Sequence, residues 1–139
     1  QGDTWTEVVG GDLHGVDVNL ADFSDTAPTL AAVAAVADSP TRVRGIGFVR
    51  GKESDRIGAV ITELRRLGVN ATEHDDGFTV RPGGVRPEVV QTYADHRMAM
   101  AFSLLGVVSD GVAIADPGCV TKTFPAFWDT LESVRVGAR

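Results

Sequence analysis

The sequence predicts an α/β domain in which helices alternate with strands and pack against them in layers. Segments with the two-residue period of strands alternate along the chain with segments of helical period. Several strand segments also come in pairs that are separated by glycine-containing turns. The chain has 139 residues, of which 43% are hydrophobic, and this suffices for one buried core. We therefore expect a single domain over residues 1–139, of α/β or α+β class.

The first part of the chain predicts a hairpin followed by a helix. Residues 4–9 and 13–18 alternate polar and apolar side chains, and the Gly10-Gly11 pair can form the turn between them. Residues 25–37 are rich in alanine, which favours a helix that packs closely on a neighbour. Pro28 is compatible with the first turn of that helix, where no backbone donor is needed.

The middle of the chain predicts a strand, a helix and a hairpin. Residues 41–48 are strand-like, and residues 54–67 have the clearest helical period in the chain. Gly68 can end that helix in the left-handed conformation. Residues 69–73 and 78–81 flank an Asp-Asp-Gly turn signal and predict two paired strands. The apolar stripe of the helix consists of Ile57, Val60, Ile61, Leu64 and Leu67.

The last part predicts a helix, a short strand and a final helix. Asp95 can cap a helix from residue 96 to about residue 108, and residues 112–115 predict the strand. Thr123 can cap the final helix, with Pro125 in its first turn. Residues 137–139 predict a frayed end. The inward residues of this helix are expected to be Phe127, Leu131 and Val134.

Composition argues against several classes of partner and cofactor. The net charge of −6 and the isoelectric point near 4.9 disfavour a nucleic acid or an anionic membrane surface. No apolar run is long enough to span a bilayer. The single cysteine, Cys119, excludes an internal disulfide and suits a reducing, cytoplasmic setting. The CxxC and CxxH spacings of zinc sites are absent, so a zinc site of that kind is not expected.

Four cations stand at or near the starts of predicted helices in this acidic chain: Lys52, Arg56, Arg97 and Lys122. Helix starts already favour anions through their free N–H groups and the helix dipole. Arginine also binds a carboxylate or phosphate through two parallel hydrogen bonds. The pattern predicts a local site for a small, multiply charged anion.

The other charged and polar residues near these helix starts also have purely structural interpretations. Glu53 can shuttle a proton beside the cations, or it can simply complement the helix dipole. Asp25 can act as a carboxylate base or as a helix cap, and Asp95 as a cap alone. His96 can face an anion or lie on the surface. One charged helix start decides nothing, but several together suggest that they converge on one pocket.

Three segments together resemble the 5-enolpyruvylshikimate-3-phosphate synthase family. Residues 50–56 (RGKESDR) resemble one family signature, and residues 93–100 (YADHRMAM) and 116–125 (DPGCVTKTFP) resemble two others. Asp25 also lies where the family carries a carboxylate, ahead of Lys52. The resemblance extends from about residue 22 to the C-terminus.

The resemblance implies transfer of the enolpyruvyl group of phosphoenolpyruvate to the 5-hydroxyl of shikimate 3-phosphate, with release of phosphate. Asp25 would accept the hydroxyl proton or orient the hydroxyl, and Lys52 would contact shikimate 3-phosphate. Glu53 and Lys122 would serve proton transfer at the methylene carbon and the departing phosphate. The family needs no metal or organic cofactor.

The resemblance also implies a binding site for phosphoenolpyruvate. Arg56, Arg97 and Lys122 would hold its carboxylate and phosphate, with His96 as a close neighbour, and the inhibitor glyphosate would occupy the same subsite. Phe48 departs from the pattern, because some members carry there an asparagine that contacts shikimate 3-phosphate.

The resemblance implies an incomplete part of a larger fold. The family has two lobes of repeated βαβαββ units arranged as an inside-out barrel, with the active site between the lobes. This chain would be the C-terminal part of one lobe, inactive without the N-terminal remainder. Two alternatives stay open: a fragment of the related transferase that acts on a UDP-sugar, and a non-catalytic anion-binding module.

Overall fold

The computed structural model describes residues 1–136 of the chain, and the side chains up to residue 134. Its strands are β1 (Asp17–Asn19), β2 (Thr41–Arg44), β3 (Asn70–His74), β4 (Gly77–Arg81), β5 (Glu88–Val90) and β6 (Val112–Ile114). Its α-helices are α1 (Ala27–Ala34), α2 (Arg56–Arg66), α3 (His96–Ser103), α4 (Leu105–Val108) and α5 (Phe127–Val136). Short 3-10 helices cover Ala21–Thr26, Gly47–Gly51 and Pro117–Val120.

The strands form two sheets. Four strands lie in the order β1-β2-β4-β3, with β1 parallel to β2 and β4 antiparallel to both of its neighbours, β2 and β3. The second sheet contains β5 and β6, which are parallel. Parallel neighbours need a crossover connection, which α1 supplies in the first sheet and α3 with α4 in the second. The mixed α/β class predicted from the sequence is confirmed.

The core lies between the first sheet and helices α1, α2 and α3. The buried face of α2 carries Ile57, Val60, Ile61 and Leu64, as its apolar stripe predicts. Alanines of α1, including Ala31 and Ala32, are fully buried, so that α1 and α3 pack closely. This packing brings the N-terminal ends of three helices into one region.

The prediction of an N-terminal hairpin is wrong. Residues 4–9 form no strand, and β1 covers only Asp17–Asn19 and pairs in parallel with β2. Val8 and Val9 are more than four-fifths exposed. A strand needs a partner for its backbone hydrogen bonds, and no strand among residues 1–136 is placed to pair with residues 4–9.

The other predicted elements differ mainly at their ends. The predicted helix 25–37 begins as a 3-10 helix and becomes α1 only at Ala27, and the strand 41–48 ends at Arg44. The last helix begins at Phe127, so that Thr123 and Pro125 precede it. Val134 is 64% exposed rather than inward. The predicted frayed end, residues 137–139, lies outside the described residues.

The helices and strands predicted over residues 54–67, 69–73, 78–81 and 112–115 are confirmed within two residues, whereas the predicted helix 96–108 is divided at Leu104 into α3 and α4. The predicted cap of α3 by Asp95 is confirmed, and the structure adds a cap of α2 that was not predicted. Asp55 caps α2 through a hydrogen bond from the Gly58 amide, and Asp95 caps α3 through one from the Arg97 amide. The hairpin turn falls at residues 75 and 76. In the part of the chain that the structure describes, no helix has the length and apolar character to cross a membrane.

Candidate active site

Arg56 is the centre of the cluster of charged side chains at the helix starts. It is the first residue of α2, and its side chain is only 3% exposed. Its guanidinium donates to Asp95 Oδ2 (Nε, 2.8 Å), to Asp25 Oδ1 (Nη1, 2.8 Å) and to Glu53 Oε2 (Nη2, 2.6 Å). Three carboxylates from three segments therefore meet on one buried cation, which compensates for the loss of its hydration.

Asp25 joins Arg56 to a second arginine. One oxygen of its carboxylate accepts from Arg56, and the other lies 2.7 Å from Nη2 of Arg97. Arg97 is in the first turn of α3, and its side chain is 33% exposed. The two guanidinium groups thus bind one carboxylate from both sides, which is the geometry expected of an anion site.

Asp95 holds Arg56 in place. Its side chain is fully buried and also accepts hydrogen bonds from Ser54 Oγ (3.0 Å) and from the Arg97 amide (2.9 Å). Burial alone would raise the pKa of Asp95, but the hydrogen bonds from Arg56, from the Arg97 amide and from Ser54 outweigh it and lower the pKa. Asp95 is therefore an ionised, structural anion at neutral pH.

The backbone before Asp95 aims it inward. Tyr93 and Ala94 both have left-handed conformations, with φ of 57° and 54°. Such conformations are unfavourable for residues with a Cβ and persist only where surrounding contacts hold them. The Tyr93 hydroxyl donates to the buried carboxylate of Glu63 on α2 at 2.8 Å, and Gln91 N donates to the same group. These bonds attach the turn to α2, which also carries Arg56.

Glu53 and His96 lie at the edge of this network. A hydrogen bond from its own backbone N–H lowers the pKa of Glu53, as does the charge of Arg56. Its side chain is 40% exposed, and water also favours the ionised form. Burial lowers the pKa of His96, as do the charges of Arg97 and Lys122, which favours a neutral ring. Nδ1 of His96 is the one buried side-chain nitrogen or oxygen without a hydrogen-bond partner among the described residues.

The two predicted lysines stand apart from these contacts. Lys52 follows the 3-10 helix Gly47–Gly51 and is exposed, and the described residues offer its ammonium group no ion-pair partner. Lys122 is also exposed, but it lies near enough to lower the pKa of His96. The structure thus joins Asp25, Glu53, Arg56 and Arg97 directly, places His96 beside them, and leaves the lysines available at the surface.

Sequence reasoning treated Asp95 as a cap alone and missed its role as the buried partner of Arg56. A usable signal was present, because Arg56 lies four and eight residues before Val60 and Leu64 and so falls on the apolar stripe of α2. A buried arginine needs a carboxylate partner. Arg50, in contrast, pairs with Asp55 and Glu73 and donates to the His74 carbonyl, which attaches the hairpin to α2.

Other possible sites lie elsewhere or are absent. A cavity of about 480 Å³ lies between α4, β6 and α5, and none of the predicted site residues lines it. Within residues 1–136, no three His, Cys, Asp or Glu side chains are grouped as metal ligands. The free thiol of Cys119 is partly buried, and burial raises its pKa. None of these features competes with the arginine cluster as an anion site.

Comparisons with known proteins agree on one family. The family model for EPSP synthase (3-phosphoshikimate 1-carboxyvinyltransferase) matches residues 1–131. A 3-phosphoshikimate 1-carboxyvinyltransferase of Trichormus variabilis is 47% identical over 129 residues, covering 92% of this chain and 30% of that protein. The one of Nostoc punctiforme is 49% identical over 127 residues, with 91% and 30% covered. A chloroplastic one of Brassica napus is 47% identical over 123 residues, with 88% and 24% covered.

A solved structure has the same fold. An EPSP synthase of Acinetobacter baumannii superimposes with a TM-score of 0.81 at 28% identity, covering 88% of this chain and 30% of that one. The expected enolpyruvyl transferase fold is thereby confirmed for this α/β chain. The chain spans about 30% of the length of the first curated relatives that it matches. By its sequence and its fold, the chain belongs to the EPSP synthase (3-phosphoshikimate 1-carboxyvinyltransferase) family.

Proposed function

We propose that this chain contributes half of an active site that transfers the enolpyruvyl group of phosphoenolpyruvate to the 5-hydroxyl of shikimate 3-phosphate. The observation that carries the proposal is the carboxylate of Asp25, bound by Arg56 on one side and by Arg97 on the other. This pair of arginines suits the carboxylate of phosphoenolpyruvate in the same way. The reaction is proposed from the relatives, which are named 3-phosphoshikimate 1-carboxyvinyltransferase.

The cations would bind the substrates and stabilise charge. Arg56 and Arg97 bind the carboxylate of phosphoenolpyruvate, and Lys122 its phosphate. Lys52 contacts shikimate 3-phosphate. The tetrahedral intermediate keeps both anionic groups, so cations that are held before reaction stabilise it without reorganisation. Buried Asp95 prevents Arg56 from moving, which supports this role.

The acids would transfer protons. Attack of the 5-hydroxyl on C2 of phosphoenolpyruvate forms a C–O bond while the hydroxyl loses its proton and C3 gains one. Elimination then removes a proton from C3, breaks the bond between C2 and the phosphate oxygen and restores the double bond. Asp25 accepts or orients the hydroxyl proton, while Glu53 and Lys122 serve the methylene carbon and the departing phosphate. His96 lies beside these groups as a further substrate contact. Its unpartnered Nδ1 supports this assignment.

The chain is, in this proposal, one domain and the C-terminal part of one lobe, and its partner is the N-terminal remainder of the enzyme. It works in the cytoplasm on small anions, without a nucleic acid or membrane partner, as its net charge of −6 supports. It is inactive alone. Half of a cleft cannot orient two substrates, so most of the rate advantage of proximity is lost.

The test is phosphate release from shikimate 3-phosphate and phosphoenolpyruvate, by this chain alone and after assembly with the N-terminal remainder. We expect release only in the assembly. Release by the chain alone would refute the incomplete-site proposal. No release by a folded assembly would favour a non-catalytic anion-binding module.

A matched pair of variants connects the activity to the arginine cluster. Arg97→Ala should lower kcat/KM of the assembly by about 100-fold, because a charged donor to the carboxylate is lost. Arg42→Ala removes an exposed arginine of β2, outside the cluster, and should leave kcat/KM within about twofold. Equal effects of the two substitutions would separate the activity from this site.

A further inference from the structure

The carboxylate of Asp25 occupies both arginines of the cluster at once. Its Oδ1 accepts from Arg56 Nη1 at 2.8 Å, and its Oδ2 lies 2.7 Å from Arg97 Nη2. Each oxygen therefore has a guanidinium of its own, as the two oxygens of a bound carboxylate ligand would. A carboxylate that is engaged in this way has both of its oxygens on the arginines and is not placed to contact a substrate hydroxyl.

The partners in this contact differ in their freedom to move. Arg56 is 3% exposed and is also bound to Asp95, which is fully buried, and to Glu53. Asp25 is 45% exposed and belongs to the 3-10 helix Ala21–Thr26, which contains no buried residue. A ligand that enters the cluster can therefore displace Asp25 far more easily than it can displace Arg56.

The charges also favour displacement over addition. Asp25, Glu53 and Asp95 place three carboxylates around Arg56 and Arg97, the only two cations in direct contact with them among the described residues. A substrate carboxylate that joined them all would set four anions against two cations in a partly buried site. If the substrate carboxylate replaces Asp25, the number of carboxylates around the two arginines stays at three.

We propose that Asp25 occupies the place of the substrate carboxylate in the unliganded protein, and that binding of that carboxylate displaces Asp25 and frees it to act on the hydroxyl. This inference rests on the proposed function. It makes the base available only once the carboxylate-bearing substrate is bound. It also weakens the binding of that substrate, because each binding event must first break two charged hydrogen bonds.

The test compares two substitutions that each remove one negative charge from Arg56. Asp25→Asn frees both arginines, whereas Glu53→Gln removes the carboxylate 2.6 Å from Arg56 and leaves Asp25 bound between them. The probe is pyruvate, a carboxylate without a phosphate, whose dissociation constant is measured with the assembled enzyme by NMR titration. We expect Asp25→Asn to tighten pyruvate binding by about tenfold, and Glu53→Gln by no more than about twofold.

Three outcomes would overturn the proposal: unchanged binding in Asp25→Asn, weaker binding, or equal tightening in both variants, which would be an effect of charge alone. A crystal structure of the unmodified assembly with pyruvate gives an independent test. We expect the carboxylate of pyruvate between Arg56 and Arg97, and Asp25 beyond hydrogen-bond distance of both. Retention of Asp25 on both arginines would refute the proposal.

Binding and turnover separate this inference from the proposed function. The pyruvate measurements need no reaction. Tighter binding in Asp25→Asn, together with no phosphate release by the unmodified assembly, would keep the displacement and reject the transferase. Phosphate release by the unmodified assembly, without tighter pyruvate binding in Asp25→Asn, would keep the transferase and reject the displacement.

Discussion

At the scale of single residues, one buried arginine organises the site. Arg56 lies on the apolar stripe of α2, where a cation is costly unless carboxylates surround it. Asp95 supplies the fully buried partner and Asp25 and Glu53 supply the more exposed ones. The contacts that compensate the buried charge of Arg56 thus also place two arginine side chains around the one carboxylate of Asp25.

Asp95→Asn should destabilise the chain by about 3 kcal/mol at neutral pH, because Arg56 would keep its buried charge without its closest buried partner. The lowered pKa of Asp95 gives this effect a pH dependence. Since the pKa is lower in the folded than in the unfolded state, the stabilisation is complete above the unfolded value and is lost as pH falls through the folded value.

Urea unfolding of the two proteins between pH 7 and pH 2 measures this prediction. The difference in unfolding free energy should be constant above about pH 5 and should shrink below roughly pH 4, where aspartate ordinarily titrates. A difference that does not change with pH would show that Asp95 stabilises the fold without its charge.

At the scale of elements, helix ends position the cluster. Asp55 and Asp95 cap α2 and α3, so the first turns that carry Arg56 and Arg97 are held by side chains from just outside each helix. The opposite end of α2 turns sharply at Gly68, whose φ is +84°. This turn leads the chain from α2 directly into β3 and the hairpin.

Gly68→Ala should destabilise the chain by about 1–2 kcal/mol, because a residue with a Cβ is strained in the left-handed conformation. The new Cβ would also lie 2.7 Å from Nε of Arg86, which is flexible enough to move. Gly83→Ala is the control, since no atom lies within 4 Å of its added Cβ. Thermal unfolding of both variants measures the contrast, and similar losses at the two positions would contradict the explanation.

At the scale of the whole molecule, apolar side chains are exposed at several places in the part of the chain that the structure describes. Val8 and Val9 in the N-terminal segment and Val108 at the end of α4 are each more than 60% exposed. Trp5 is 57% exposed in the same N-terminal segment. Residues 4–9 retain the alternation of a strand, so we expect them to pair in the assembly that the proposed function requires, with the proposed N-terminal remainder as partner.

Tryptophan fluorescence tests this expectation. Assembly should shift the emission of Trp5 to shorter wavelength, because the indole moves from water into an apolar contact. The shift should disappear in Trp5→Phe and remain in Trp128→Phe, since Trp128 is already partly buried and donates to the Pro117 carbonyl. Association seen by sedimentation without any shift would show that residues 4–9 stay exposed in the assembly.

The sequence by itself determined the α/β class, the apolar face of α2, the β3–β4 hairpin and the Asp95 cap of α3, because these depend on residues close together in the chain. It also identified the cations and acids of the candidate site. The tertiary structure alone decided that residues 4–9 lack a strand partner and that Arg50 serves the hairpin. It alone joined Asp25 and Asp95 to Arg56, which lie 31 and 39 residues from it along the chain, and Arg97 to Asp25. Such contacts follow from how helices pack, which no local pattern of residues encodes.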